Sequence, residues 1–165
     1  KHKLKPKAAL IGFGNSMDAY KITAPDPSGA GVERALRSAI GMAGIRPEQI
    51  DYINAHGTGT RSNDEAELRA IERVVGEAAP LIHVSSTKDR HGHAIAAAGI
   101  QEFHVLTTCM EANLIAANLS FSNPLRTNLQ LPFGENKIQP IKYALTNNFA
   151  FGGVNCSLVL ENLNL

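Results

Sequence analysis

Apolar residues along the chain alternate between short continuous runs and stripes at helical spacing. Residues 8–13, Ala-Ala-Leu-Ile-Gly-Phe, form an apolar run of strand length closed by Gly14-Asn15. After a polar loop with Pro25 and Pro27, Val32, Ala35, Leu36, Ala39, Ile40 and Ala43 recur as one helical stripe, with Gly44 as its terminator and Pro47 beyond. Residues 51–56 read as a second strand. Ser62 through Glu65 fits a capping box, S-x-x-E, opening a helix with Leu68, Ile71, Val74 and Val75 inside. A third strand is expected around 81–85, then a helix from about Gly92 to Ala112 with Ile95, Gly99, Phe103, Leu106 and Met110 on one side. Residues 114–119 read as extended. Residues 120–142, with three prolines, read as loop. Two last runs, 143–149 and 154–161, flank Ala150-Phe151-Gly152-Gly153 as an antiparallel pair. The order β-α-β-α-β-α-loop-β-β predicts one α/β domain, residues 1–165, around a single sheet.

Composition narrows the function classes. The 165 residues are 44% hydrophobic and 19% charged with a formal net charge of +1, so the chain lacks the basic field that nucleic acid demands. The basic run Lys1-His2-Lys3-Leu4-Lys5-Pro6-Lys7 reads as a solvated terminus. No apolar stretch approaches the ~20 residues needed to span a bilayer, and no signal peptide is visible. Cys109 and Cys156 have no metal spacing, and a reducing, cytoplasmic setting is the expectation. No metal or resident cofactor is expected. The first residue is Lys1 rather than methionine, which reads as a processed piece, an expressed fragment, or part of something longer.

Three clusters carry candidate chemistry. In Asn54-Ala55-His56-Gly57-Thr58-Gly59-Thr60 a histidine ends a strand before a flexible turn, where α/β sheets place ligands. Two glycines admit close backbone approach, and two threonine hydroxyls at alternate positions suit an extended polar chain. Taken alone, the histidine also fits a turn cap. In Ser85-Ser86-Thr87-Lys88-Asp89-Arg90-His91-Gly92-His93, a helix beginning at Gly92 would put His93 in its first turn, where the helix dipole disfavours imidazolium. His91 reads as a solvent-facing loop residue. In Asn147-Asn148-Phe149-Ala150-Phe151-Gly152-Gly153, two aromatics flank a turn whose N–H groups could serve as oxyanion donors.

Together and in this order, His-Gly-Thr-Gly-Thr, Ser-Thr-Lys-x-x-x-Gly-His and Asn-x-Phe-x-Phe-Gly-Gly resemble the C-terminal half of the β-ketoacyl-acyl-carrier-protein synthases, of the thiolase-like superfamily. The elongating fatty-acid type is the nearest resemblance, and Gly12-Phe13-Gly14 and Asp18-Ala19-Tyr20 extend it to the start of the chain. It implies a mixed sheet covered by helices and decarboxylative condensation of a malonyl thioester. His56 and His93 would hold the malonyl carbonyl and stabilise the enolate. Lys88 would organise the site with Glu67 as its ion-pair partner. Thr58 and Thr60 would bind the phosphopantetheine arm, Phe151 would be the gate and an oxyanion donor, and Thr23 and Phe149 would meet substrate beside it. Implied partners are acyl carrier protein, an N-terminal half bearing the nucleophilic cysteine, and a second copy of the assembled synthase.

This sequence departs from the pattern in three places. Asp89-Arg90-His91 stands where small or apolar residues are usual, Ala150 where glycine is common, and no residue matches the nucleophilic cysteine. Cys109 falls inside a helix and Cys156 begins the last strand. A non-catalytic partner of the chain-length-factor kind, a carrier-protein binding module and a thiolase-type cousin are the competing readings. Intact His56, Lys88 and His93 favour chemistry over pocket shaping, and two histidines suit decarboxylation better than thiolysis.

Overall fold

A computed structural model describes residues 4–120 and 123–165. Lys1–Lys3 of the basic run and residues 121–122 of the long loop lie outside the described residues. Five strands form one mixed sheet in the order β1 (Ala8–Met17), β7 (Val154–Asn162), β6 (Tyr143–Ala150), β2 (Tyr52–Asn54), β3 (His83–Ser85). β2 runs parallel to both β3 and β6, while β7 is antiparallel to β6 and β1. The carboxyl ends of β2, β3 and β6 therefore share one edge of the sheet, and each of the three sequence clusters follows one of those ends. A small ribbon, β4 (Leu114–Ile115) with β5 (Lys137–Ile138), lies apart.

Helices cover both faces. α1 (Ala30–Ala43) and α2 (Arg61–Val75) pack on one face over Ile53, Leu145 and Val159. The α1 stripe is buried as the periodicity predicts, and Gly44 ends it in the left-handed conformation. Gly12 and Gly14 set how closely α1 sits. A methyl group there would fall 2.2 Å from Ala39 O and 2.1 Å from Ala35 O, so only glycine lets the helix backbone rest on β1. α4 (Ala98–Ala112) covers the other face, with Leu106, Cys109 and Met110 against Tyr52, Ala144 and Leu160. α3 (Lys88–His91) is a single turn beyond β3. No helix among the described residues is long and apolar enough to cross a membrane.

Several boundaries differ from expectation. β1 runs on to Met17 because β7 supplies partners along its whole length. β2 and β3 are three residues each, limited by the short overlap with β6. Thr60, not Ser62, is the N-cap of α2, and Glu65 pairs with Arg61 instead of closing a capping box. Extended structure after α4 stops at Ile115.

The largest difference concerns the helix expected from Gly92. Gly92 ends α3, Ile95–Ala97 form a 3-10 turn, and α4 starts at Ala98. Ile95 takes φ 51°, a conformation β-branched residues rarely adopt, and so breaks what the small-residue run suggested was continuous helix. His93 is thus in a connecting turn. The buried stripe of α4 is Ala98, Glu102, Leu106, Cys109 and Met110, and Ile95 is 76% exposed.

Candidate active site

The three strand ends bring His56, His93, Lys88 and Phe149 together. The rings of His56 and His93 lie edge to face with centroids 5.4 Å apart. Phe149 tilts against His56 from the other side at 5.2 Å. His56 is buried, whereas His93 is exposed on the open side of the site.

Hydrogen bonds decide which nitrogen of each ring carries the proton. The Ile95 N–H donates to His93 Nδ1 at 3.1 Å, so neutral His93 holds its hydrogen on Nε2. The Lys88 ammonium faces His56 Nδ1 at 3.4 Å, which makes Nδ1 the acceptor there too. Among the described residues neither Nε2 makes a hydrogen bond. Both imidazoles are neutral at pH 7. Burial, then the charges of Lys88 and His93, hold His56 down to about 3. Burial and the Lys88 charge lower His93 as well, the role the sequence had assigned to a helix dipole. The result is a pair of N–H donors on adjoining rings.

Lys88 is the hub behind them. Its ammonium donates to His56 O and pairs with the buried Glu102 carboxylate, whose other oxygen accepts Asn148 Nδ2 at 2.7 Å. Burial pulls Lys88 down to about 8, with the charges of Glu67 and Asp64 opposing. Glu67 is not the ion-pair partner of Lys88. Its carboxylate accepts the His56 and Gly57 N–H groups at 2.9 Å each and Asn147 Nδ2 at 3.0 Å, so it fixes the strand-to-turn corner instead. Burial pushes Glu67 up, and those N–H donors hold it back.

Thr58 and Thr60 bond one another through their hydroxyls at 2.8 Å in the turn after β2, and Thr58 lines a cavity. That cavity, of about 480 Å³, is also lined by Lys88, Asp89, His93, Asn118, Ser120 and Leu125, among others. Phe151 is 79% exposed at the tip of the β6–β7 turn. Of the turn amides, Gly152 N–H donates to Ile22 O and Gly153 N–H to Ala150 O, while Phe151 N–H has no partner among the described residues. The Gly152–Ile22 bond ties the turn to the loop that carries Thr23. The Asp18 N–H reaches Gly153 O, and its carboxylate accepts Asn155 Nδ2, which anchors the base of the same turn. Cys109 is buried in α4 and Cys156 half-buried in β7, and burial raises both thiols, so neither is disposed to be a nucleophile.

Glu102, Asn147 and Asn148 escaped the sequence reading. The asparagines lie in a cluster already singled out. The signal for Glu102 was a carboxylate four residues before Leu106 on the inner face of α4.

Residues 7–122 match the family described as "Beta-ketoacyl synthase, C-terminal domain". The chain is 42% identical to 3-oxoacyl-[acyl-carrier-protein] synthase 2 of Rhizobium meliloti over 155 residues, 93% of this chain and 37% of that protein. It is 38% identical to the synthase of the same name from Vibrio cholerae over 160 residues, 94% of this chain and 38% of that one. Among solved structures, a type II polyketide acyl-carrier protein in complex with its ketosynthase gives a TM-score of 0.90 at 31% identity, covering 94% of this chain and 38% of that one. A β-ketoacyl synthase from Burkholderia phymatum gives 0.86 at 34% identity, again covering 94% and 38%. A ketosynthase in complex with its chain length factor from Xenorhabdus doucetiae gives 0.82 at 34% identity, covering 97% and 40%. The chain thus spans well under half the length of these relatives. It has the thiolase-like ketosynthase fold and belongs to the β-ketoacyl synthase family, as a C-terminal domain.

Proposed function

We propose that this chain forms one half of a condensing active site, in which His56 and His93 catalyse decarboxylation of a malonyl thioester carried on an acyl carrier protein. The nucleophilic cysteine comes from an N-terminal half. The observation that carries the reading is the paired Nε2–H donors. Both Nδ1 atoms are occupied as acceptors, so each ring carries its hydrogen on Nε2, and the two rings lie 5.4 Å apart, within reach of a single thioester oxygen. Charge grows on that oxygen as the bond to CO2 breaks and its electron pair becomes the enolate. Donors placed beforehand for that charge are worth more to the transition state than to the substrate.

The enolate carbon then attacks the acyl group held as a thioester on the partner's cysteine. A carbon–carbon bond forms, the sulfur leaves as thiolate, and CO2 and a β-ketoacyl carrier are released. The free Phe151 N–H suits the oxyanion of that second addition, and the exposed Phe151 ring suits a gate. Thr58 and Thr60 suit the amides of a phosphopantetheine arm. Lys88 and Glu102 organise the histidines without touching substrate. A cytosolic setting keeps the partner's cysteine reduced.

The test supplies malonyl and acyl carrier proteins to this chain alone and to this chain co-expressed with a cysteine-bearing half. Mass spectrometry should detect a β-ketoacyl product only from the pair. Product from the chain alone, or none from a correctly assembled pair, overturns the proposal.

A further inference from the structure

Asp89 and Arg90 are exposed, yet each is engaged in a way that solvated surface charges are not. α3, the turn that carries Lys88, is four residues long, and a single turn is too short to hold its own axis. Its direction must come from outside. Asp89 Oδ2 accepts the Leu119 N–H at 2.6 Å, and Arg90 Nη2 donates to Ala117 O at 2.8 Å and to Asn136 Oδ1 at 3.3 Å. Asn136 Oδ1 in turn accepts the Ala117 N–H at 3.0 Å. On the other side of Lys88, the Ser86 N–H donates to Asn118 Oδ1 at 3.0 Å. Residues 117, 118 and 119 are thus each tied to the segment 86–90.

The anchoring segment is itself fixed. The Asn118 N–H donates to Pro132 O at 2.8 Å, and Asn118 O accepts the Gly134 N–H at 3.0 Å. The two tied segments also line the same cavity, Ser86, Lys88 and Asp89 from one and Asn118 from the other. A rotation of α3 would swing Lys88 away from His56 and Glu102, and would carry His93 with it through Gly92.

We infer that Asp89 and Arg90 are positioning residues for the condensing reaction, a cross-strap that sets the pitch of α3 and so aims the Lys88 ammonium and the His93 ring. The inference rests on the function proposed above. Arg90 lies outside the cavity lining, and Asp89, which reaches the cavity wall, acts through its bond to the Leu119 N–H and not by contact with substrate. Their effect should fall on the half-reaction that uses the histidines and spare acylation of the partner's cysteine.

The experiment uses the assembled synthase, this chain with its cysteine-bearing half. Malonyl decarboxylation and cysteine acylation are measured separately for wild type, Asp89→Ala, Arg90→Ala, the double variant, Asp89→Asn and Arg90→Lys. Misplacing reacting groups by about 1 Å costs on the order of 100-fold, so the double variant should lose between about 10- and 100-fold in decarboxylation kcat. KM for the malonyl carrier should stay within about twofold, because uniform binding is untouched. Acylation should be unchanged. Asp89→Asn keeps an oxygen for the Leu119 N–H and should restore most of the rate lost in Asp89→Ala. If the double variant fails to assemble, the single variants read the same split. Equal loss in both half-reactions, no loss, or no restoration by Asp89→Asn overturns the inference. A wild-type assembly that acylates but never decarboxylates malonyl substrate overturns the proposed function itself, which separates the two failures.

Discussion

The Glu67 carboxylate accepts the backbone N–H groups of both His56 and Gly57, closing the corner where β2 becomes the active-site turn. A carboxylate can accept from both at once because it has no hydrogen to place between them. Glu67→Gln puts an amide N–H against one of these donors in a fully buried position. Leaving a buried donor unpaired costs about 1–3 kcal/mol. The expected result is destabilisation of that size in denaturant titration of the assembled protein, with lower decarboxylation as the His56 corner shifts. Unchanged stability would mean that the corner is held by the strands alone.

His93→Ala should abolish malonyl decarboxylation far more than cysteine acylation. Removing one placed donor to a developing oxyanion costs roughly 10²–10³ in rate. In the proposed function acylation relies on the cysteine and the Phe151 amide, so it should stay within a few-fold of wild type. Radiolabelled malonyl carrier for one half-reaction and intact mass of the acyl-enzyme for the other give the two rates. Parallel loss of both would reassign His93 to the structure of the site.

The pH profile follows from Lys88. Its ammonium pairs with Glu102 and supports His56, and burial lowers its pKa to about 8. Decarboxylation should therefore fall as pH rises through about 8, and Lys88→Met should remove that alkaline limb along with much of the rate. Stability moves the other way. The unfolded chain holds the Lys88 proton more tightly than the folded one, so this group's contribution to stability rises with pH from about 8 to the ordinary lysine value of 10.5. A rate that falls while this contribution grows marks chemistry, not unfolding. On the acid side His56 stays neutral down to about 3, so its ring imposes no loss of rate near pH 6. Its depressed pKa does make stability fall as pH drops below 6.5.

How far the sequence was legible depended on how local each signal was. The α1 stripe was readable residue by residue, because an amphipathic helix on a sheet has one apolar face and one polar one. The β6–β7 pair was readable from two apolar runs around Gly-Gly. That His56 and His93 come together was implied by the family resemblance of two short segments, and their rings lie 5.4 Å apart. The start of α4 was not readable, since the run Ala94–Gly99 has no polar face to show where helix begins. The Lys88–Glu102 pair was hidden for a different reason: it joins elements fourteen positions apart, and Glu67 was the carboxylate nearest in pattern. Packing decided between them, because Glu67 faces Asn147 on the α2 side of the sheet and Glu102 faces Asn148 on the α4 side.

One face of the sheet bears on whether the chain stands alone. On the α4 side the packed cluster reaches β1 only at Ala8 and β7 only from Leu158 onward. Across those strands the pairs Phe13–Leu158 and Met17–Val154 point to the same side, and Phe13, Met17 and Val154 are exposed. α4 and the turn before it also leave Ile95 and Ile100 exposed, at 76% and 69%. Exposed apolar surface, where it is contiguous, marks an interface or an aggregation site, and permanent partners commonly bury over ~2,000 Å². Size-exclusion chromatography with light scattering should therefore show aggregation of this chain alone and a defined complex once the cysteine-bearing half is co-expressed. Phe13→Asp or Ile100→Asp should weaken that complex, because an unpaired carboxylate buried at an interface costs several kcal/mol. A monodisperse, cooperatively melting 17.7 kDa monomer would instead favour a self-sufficient binding module and remove the basis for the split active site.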